Sequence, residues 1–460
     1  MMQWPMLLCS DRLNSQNEHV KPEEIRSEYE RDIDRLIFSN AFRRLSRKTQ
    51  VHPFADNAHT HNRLTHSLEV GNVGRSLGRR LGERIKDRLP KGVTSYDIGA
   101  IVQAASLAHD IGNPPFGHAG EDALSDWFDH EGNAHLKSLS ASHKRDIQRF
   151  EGNAQGFRII TQIENHLWSG GLRLTFATLG AFLKYPWSSA VIKEGEKEKY
   201  SCFLCEEPIL KQVADKTGMI SKGAHRWCRH PLSYLTEAAD DICYATLDLE
   251  DAVELKLLSY AEVRDLLLSA LSEPIAKEVS KLLVGEDSYR VNFSRLRGPV
   301  FTALINSCLD GYEKHYDSIM NGSWDKGALK LIDDGSPQRI VIEKSKKMGE
   351  ERIYTEQFKT DIEMGCFAAL GCILNAFSKA ATESAYYIYN QDESTISSIS
   401  KLVLRQMRGH APNEKNGPSG KKWTPYSCLR RVLDYVSGMT DDYAWSMASK
   451  LQGISSKSRS

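Results

Sequence analysis

The chain has no excess charge of either sign: 60 Lys plus Arg stand against 60 Asp plus Glu over 460 residues. Its overall balance therefore carries no general attraction to nucleic acid or to an acidic membrane, and any anion site has to be local. Long hydrophobic runs are also scarce. The longest, such as 367–377, fall short of the roughly 18 apolar residues of a membrane span, and polar residues interrupt most of them, so no transmembrane helix is expected. The start, MMQWPMLLCSDRL, lacks both a basic n-region and a small-residue cleavage site, which argues against a secretory signal and for a cytoplasmic setting. Nine cysteines, an odd number spread over a long chain, do not make a disulfide framework and read as reduced thiols, mostly core fillers. Strand signals are sparse and no internal repeat is visible, which leaves a mainly α fold.

What is present is helical spacing of apolar residues. Leu64, Leu68, Val73, Leu77, Leu81 and Ile85 form one stripe, broken by a single step of five. Ile98, Ile101, Val102, Ala105 and Ala108 form a second, which must stop before Pro114-Pro115, so a loop starts near Gly112. A third helix is expected from about Ala119 through Leu124 to Phe128, and a fourth from Leu235 through Ala239, Ile242 and Ala245 toward Leu257. The best strand signal is the β-branched run at 339–343 before a charged turn, which marks one small β-hairpin at 338–356. HAPNEKNGPSGKK from His410 and GISSKSRS from Gly453 lack apolar anchors and read as mobile. The charge run 194–199 reads as a solvated loop, with room for one lysine to turn inward.

The informative dipeptide is His109-Asp110, where an apolar helix meets a Gly-Pro-Pro loop in LAHDIGNPPFGHAGE. Adjacent His and Asp at a helix end can ligate one divalent ion through nitrogen and oxygen, though alone such a pair is more often structural. His66 upstream and Asp240 downstream complete an H, HD, D set, four ligands from three helices, as in a bundle-core metal site. His118 and Glu121 are three apart and so share a helical face, where the carboxylate can orient the imidazole for proton transfer. Asp240, Tyr244 and Asp248 recur every four residues along another face; Asp241 is the alternative ligand if the register differs.

On these residues the chain resembles the HD superfamily and, within it, the deoxyguanosine triphosphate triphosphohydrolase family. The blocks that carry the resemblance are FRRLSRKTQVHPF, HNRLTHSLEVGNVGRSL, LAHDIGNPPFGHAGEDAL, RFEGNAQGFRI with LKY, YLTEAADDICYATLDLEDA and, more weakly, DYVSGMTDDYA, spread from about residue 30 to 450. The resemblance implies a helical HD-domain fold at 63–245, preceded by a segment at 1–62 that contributes to the nucleoside pocket. Additional C-terminal helices at 246–460 would then serve pocket closure and oligomer contacts. It implies one divalent metal per active site (Mg, Mn, Fe or Co) on His66, His109, Asp110 and Asp240, with His118 and Glu121 catalytic. The substrate contacts it implies are Gln50, Val51, Arg63, Asn153, Lys184, Tyr185, Tyr244 and Asp248. The implied reaction is dGTP or another dNTP plus water to deoxynucleoside and tripolyphosphate. A homo-oligomer, commonly a hexamer, and binding of single-stranded nucleic acid by some members belong to the same expectation. The rivals are an HD nucleotidase or phosphodiesterase of other specificity, and a nucleotide-sensing regulator that binds single-stranded nucleic acid.

Two further patterns need a decision. HEGNAH from His130 has one residue too many for a zinc-protease motif, since its histidines would stand roughly 140° apart on a helix. Cys202, Cys205, His225 and Cys228 have spacing that would suit a structural zinc, against four independent side chains.

Overall fold

A computed structural model describes the chain except for residues 14–25, 51–58, 165–170, 194–197, 354–356, 391–394, 408–422 and 455–460. The fold is mainly helical, with one two-stranded antiparallel sheet of β1 (Ser221–Gly223) and β2 (Arg226–Trp227). The tail and the segment from His410 that the sequence marks as mobile lie largely outside the described residues.

The first two expected helices form α1 (Arg63–Arg84) and α2 (Ser95–Ala108). Asn62 starts α1 by accepting the amides of Leu64 and Thr65, while the Thr65 hydroxyl accepts the Asn62 amide, so the orphan donors of the first turn are satisfied reciprocally. Among the described residues α1 and α2 make the most extensive helix pair. They approach through a row of glycines: a Cβ at Gly78 would lie 2.7 Å from the Ile98 carbonyl oxygen, and one at Gly82 2.6 Å from Ser95 Cα. The pair is thus closer than side chains would permit.

After α2 the chain turns through Pro114-Pro115 into α3 (Gly117–Asp129), whose N-cap residue Phe116 is left-handed at φ 65°. α4 (Gly152–Arg158), α5 (Phe176–Phe182) and the long α6 (Ser233–Glu254) follow. α6 runs unbroken through residue 245, where the sequence reading divides two regions, so both share one element. α7 (Pro337–Met348), α8 (Gln357–Asn390), α9 (Pro425–Ser437) and α10 (Asp441–Leu451) complete the elements used below.

α7 corrects the hairpin expected at 338–356. Ser336 accepts the Arg339 amide and Pro337 opens the first turn, both helix-start signals. Val341, Ile342 and Ser345 then bury one helical face, so burial overrides the β-branched preference of Ile340 to Ile342. The sheet forms instead at 221–227.

Two apolar clusters make the core. One is built on α1, α2, α5 and α6 (Leu77, Ile101, Leu179, Leu235), the other on α3, α8, α9 and α10 (Phe128, Leu370, Leu433, Met447). Within α8 the stretch Thr360–Ile388 is long and apolar enough to cross a membrane, which the sequence analysis does not expect; half of its apolar 18-residue window is buried in the fold, where Leu370, Ile373, Leu374 and Phe377 join the second cluster.

Candidate metal centre and active-site cavity

α1 and the C-terminal end of α2 aim three side chains at one point, and α6 sets a fourth against the two histidines. His66 sits on the first turns of α1 and is buried; His109 and Asp110 leave the end of α2; Asp240 stands on the second turn of α6. One donor atom each from His66, His109 and Asp110 lies within 4.8 Å of the others. Asp240 Oδ1 is 3.2 Å from His66 Nε2 and 3.5 Å from His109 Nε2. His109 Nδ1 donates to the Ser106 carbonyl oxygen at 2.7 Å, which leaves Nε2 with its lone pair toward the carboxylates. Among the described residues no other group of three or more His, Cys, Asp and Glu converges in this way. Asp241, the alternative register, turns to Lys346 Nζ at 2.7 Å instead.

Charge is held in place around this point. Burial works against the Asp110 carboxylate, but Arg63 at 2.7 Å and then His109 and His66 outweigh it and hold the pKa down to about 2. Burial also opposes ionisation of Asp240, and His109 with His66 again keeps it charged. The donor set of two imidazoles and two ionised carboxylates suits a divalent transition metal or magnesium.

The point lies in a cavity of about 560 Å³ between the two apolar clusters. Gln50, Arg63, Asn153, Lys184, Tyr185, Tyr244 and Asp248 all line it, together with His118 and Glu121; Val51 lies outside the described residues. His118 projects into solvent-accessible space, and its Nδ1 stands 2.8 Å from Glu121 Oε2. Glu121 Oε1 in turn accepts the Gly152 amide at 2.7 Å. Burial opposes ionisation of Glu121, but His118 outweighs it and lowers the carboxyl pKa. Lys184 reaches Glu237 at 3.4 Å, a carboxylate shared with Arg229 at 2.7 Å. Asn153 Nδ2 donates to Glu151 at 2.6 Å.

Lys199, Lys346, Glu363 and Cys366 also line the cavity and are absent from the sequence-derived set. Lys199, the last residue of the charge run, is exposed at the cavity wall; Lys346 lies in the charged stretch expected to be a turn, and the two α8 residues belong to no short motif. In sum, nine Asp and Glu face four Lys and Arg around the cavity.

The zinc alternative fails on geometry. Cys202 Sγ contacts the Phe203 carbonyl oxygen at 3.1 Å, Cys205 Sγ lies 3.5 Å from Arg158 Nη1, and His225 Nδ1 pairs with Glu207. Cys228 Sγ accepts the Ile220 amide and lies 3.6 Å from Met2 Sδ. Four different partner sets mean four separate side chains.

Comparison with known proteins adds the following. The HD domain family model matches residues 63–169. A deoxyguanosinetriphosphate triphosphohydrolase-like protein of Pseudomonas aeruginosa PAO1 is 42% identical, over 99% of this chain and all of the relative. A protein of the same description from Synechocystis is 36% identical with the same coverage. The deoxyguanosinetriphosphate triphosphohydrolase of Cronobacter sakazakii is 28% identical over 96% of this chain and 98% of its own.

Proposed function

Because the chain belongs to the deoxyguanosinetriphosphate triphosphohydrolase-like family of HD-domain phosphohydrolases, we propose that it hydrolyses dGTP or a related dNTP to the deoxynucleoside and inorganic tripolyphosphate. The observation that carries this reading is the convergence of His66, His109, Asp110 and Asp240 in a cavity of about 560 Å³, within the usual range for a small-molecule site, beside the His118–Glu121 pair. In this reading the four converging residues hold one divalent ion, Mg²⁺, Mn²⁺, Fe²⁺ or Co²⁺. Bound there, the ion supplies Lewis acidity to a phosphoryl oxygen and lowers the pKa of water.

The chain's own groups divide the remaining work. Glu121 accepts from His118 Nδ1, so His118 Nε2 is the atom that takes or gives a proton at the scissile P–O bond. Arg63, Lys184 and Lys199 offset phosphate charge, while Asn153 and Tyr185 supply directional donors. Gln50, Val51, Tyr244 and Asp248 take the nucleoside, with the Tyr244 ring against the sugar.

An excess of carboxylates around the cavity repels a bare triphosphate. Chelation of divalent metal is therefore expected to abolish dGTP binding as well as turnover, measured by calorimetry with and without EDTA. Retained micromolar binding after chelation would contradict the metal assignment.

The test of the reaction is anion-exchange analysis of products from each dNTP and NTP, with Mg²⁺ and Mn²⁺ supplied separately. Intact tripolyphosphate is expected. Orthophosphate or pyrophosphate would reassign the protein to another phosphohydrolase specificity, and nucleotide binding without product would reassign it to a sensor.

A further inference from the structure

The motif DYVSGMTDDYA has no part in the chemistry above, yet its residues reach two segments of the cavity wall. Asp441, the first residue of α10, is 4% exposed and turns its carboxylate away from its own helix. Oδ1 accepts the Phe116 amide at 2.9 Å; Oδ2 accepts the Thr49 amide at 2.8 Å and the Thr49 hydroxyl at 2.6 Å. Nearby, Lys48 Nζ donates to the Ser437 carbonyl oxygen at 2.7 Å and to that of Asn113 at 2.5 Å. One carboxylate from the C-terminal end therefore joins the chain before Gln50 to the loop before His118.

The conformation at Phe116 gives that junction its meaning. A left-handed φ of 65° is one that a bulky side chain adopts only when its surroundings impose it. Pro114 and Pro115 provide no amide, so the Phe116 N–H is the first donor after Asn113, and Asp441 takes it. Phe116 caps α3, whose first turn carries His118 and whose second begins near Glu121. The direction in which α3 starts thus depends on the hydrogen bond to Asp441.

We propose that Asp441 is a positioning residue for hydrolysis: by fixing the left-handed turn at Phe116 and the Thr49–Gln50 segment, it sets the place of His118 relative to the bound substrate. This rests on the function proposed above. It makes no contact with the reacting atoms: through Phe116 it acts on His118 and so on turnover, through Thr49 it acts on the placing of Gln50 and so on KM, and it makes no hydrogen bond to the ligands on α1, α2 and α6.

The test uses the full chain as Asp441→Asn, which keeps shape but loses acceptor capacity toward at least one amide, and as Asp441→Glu, which keeps both oxygens one methylene away. Amide exchange by mass spectrometry is read first. In the folded variants, exchange in 111–121 is expected to rise at least about tenfold while 95–108 stays as in the wild type. Turnover is read second, on whichever dNTP the wild type cleaves: kcat falls at least about tenfold through His118, KM rises by a smaller factor through Gln50, and metal content is unchanged. Unchanged exchange at 111–121, or unchanged kcat in a folded variant, overturns the proposal. Failure of both variants to fold also overturns it, in favour of a purely structural role. Altered exchange with a wild type inactive on every dNTP would leave the turn clamped by Asp441 but refute the proposed reaction and, with it, the positioning role.

Discussion

At His118 Nδ1 is held by Glu121, and in the proposed reaction Nε2 is the nitrogen that meets substrate. His118→Ala is expected to keep metal and nucleotide affinity and to lose at least about 100-fold in turnover, the lower range for acid–base catalysis; an unchanged kcat would make the ring structural. Tyr244 stands one helical turn from Asp240 and one from Asp248. In the proposed binding mode its ring lies against the sugar, where a 2′-hydroxyl would lack a partner at a cost of about 1–3 kcal/mol. The dGTP to GTP ratio of kcat/KM is therefore expected to narrow in Tyr244→Ala with metal content intact, as measured on both substrates under one salt and metal condition. These residues were legible because each lies in a short block with fixed spacing, at i, i+3 or i+4 on one helix. Lys346 and Glu363 were not, because nothing within their own helices marks which face meets a cavity whose wall comes mostly from distant parts of the chain.

At the scale of elements, the spacing of α1 and α2 is set by glycine, and that spacing carries His66 toward His109 and Asp110. Gly78→Ala puts a methyl 2.7 Å from a backbone oxygen that cannot swing aside. Overpacking of about 1–3 kcal/mol is expected to exceed the roughly 1 kcal/mol that alanine adds to a helix. A lower urea midpoint together with weaker metal retention would show it; a more stable variant would contradict the close approach. A second tie joins the start of α1 to α6: His61 Nδ1 meets Asp251 at 2.7 Å and Nε2 meets Glu69 at 3.1 Å. Burial opposes the charge on His61, but Asp251 and Glu69 outweigh it and raise the pKa from about 6.5 to about 10. Its stabilisation is thus fully present below pH 6.5 and lost as pH rises toward 10. The stability gap between wild type and His61→Gln is expected to be widest at pH 6 and to shrink steadily by pH 9.5, read from urea unfolding at each pH. Apolar periodicity marked α1, α2, α3 and α6 well, whereas α7 was read as strand because its β-branched run outweighed the Ser-Pro start signal that in fact decides it.

Across the whole molecule, the two apolar clusters are joined by buried charge. Asp434 on α9 receives Arg158 through Nε at 2.7 Å and Nη2 at 2.7 Å, with Gln155 at 3.1 Å, and Arg158 also holds Glu206. Removing one side of a buried pair leaves the other uncompensated, so Asp434→Ala is expected to cost about 3–5 kcal/mol in urea unfolding; a cost under about 1 kcal/mol would mean that Arg158 finds another partner. Joints of this kind are invisible to local pattern, since residues 158 and 434 meet only once both clusters have formed. The order of those clusters along the chain has a further consequence, for synthesis. The apolar stretch Thr360–Ile388 is covered partly by α9 and α10, which end roughly 60 residues later, about 3–12 s at ordinary elongation rates. During that interval α3, already synthesised, can cover one face of α8, while the faces that α9 and α10 cover await those helices. The second apolar cluster is therefore complete only when the last two helices have been made.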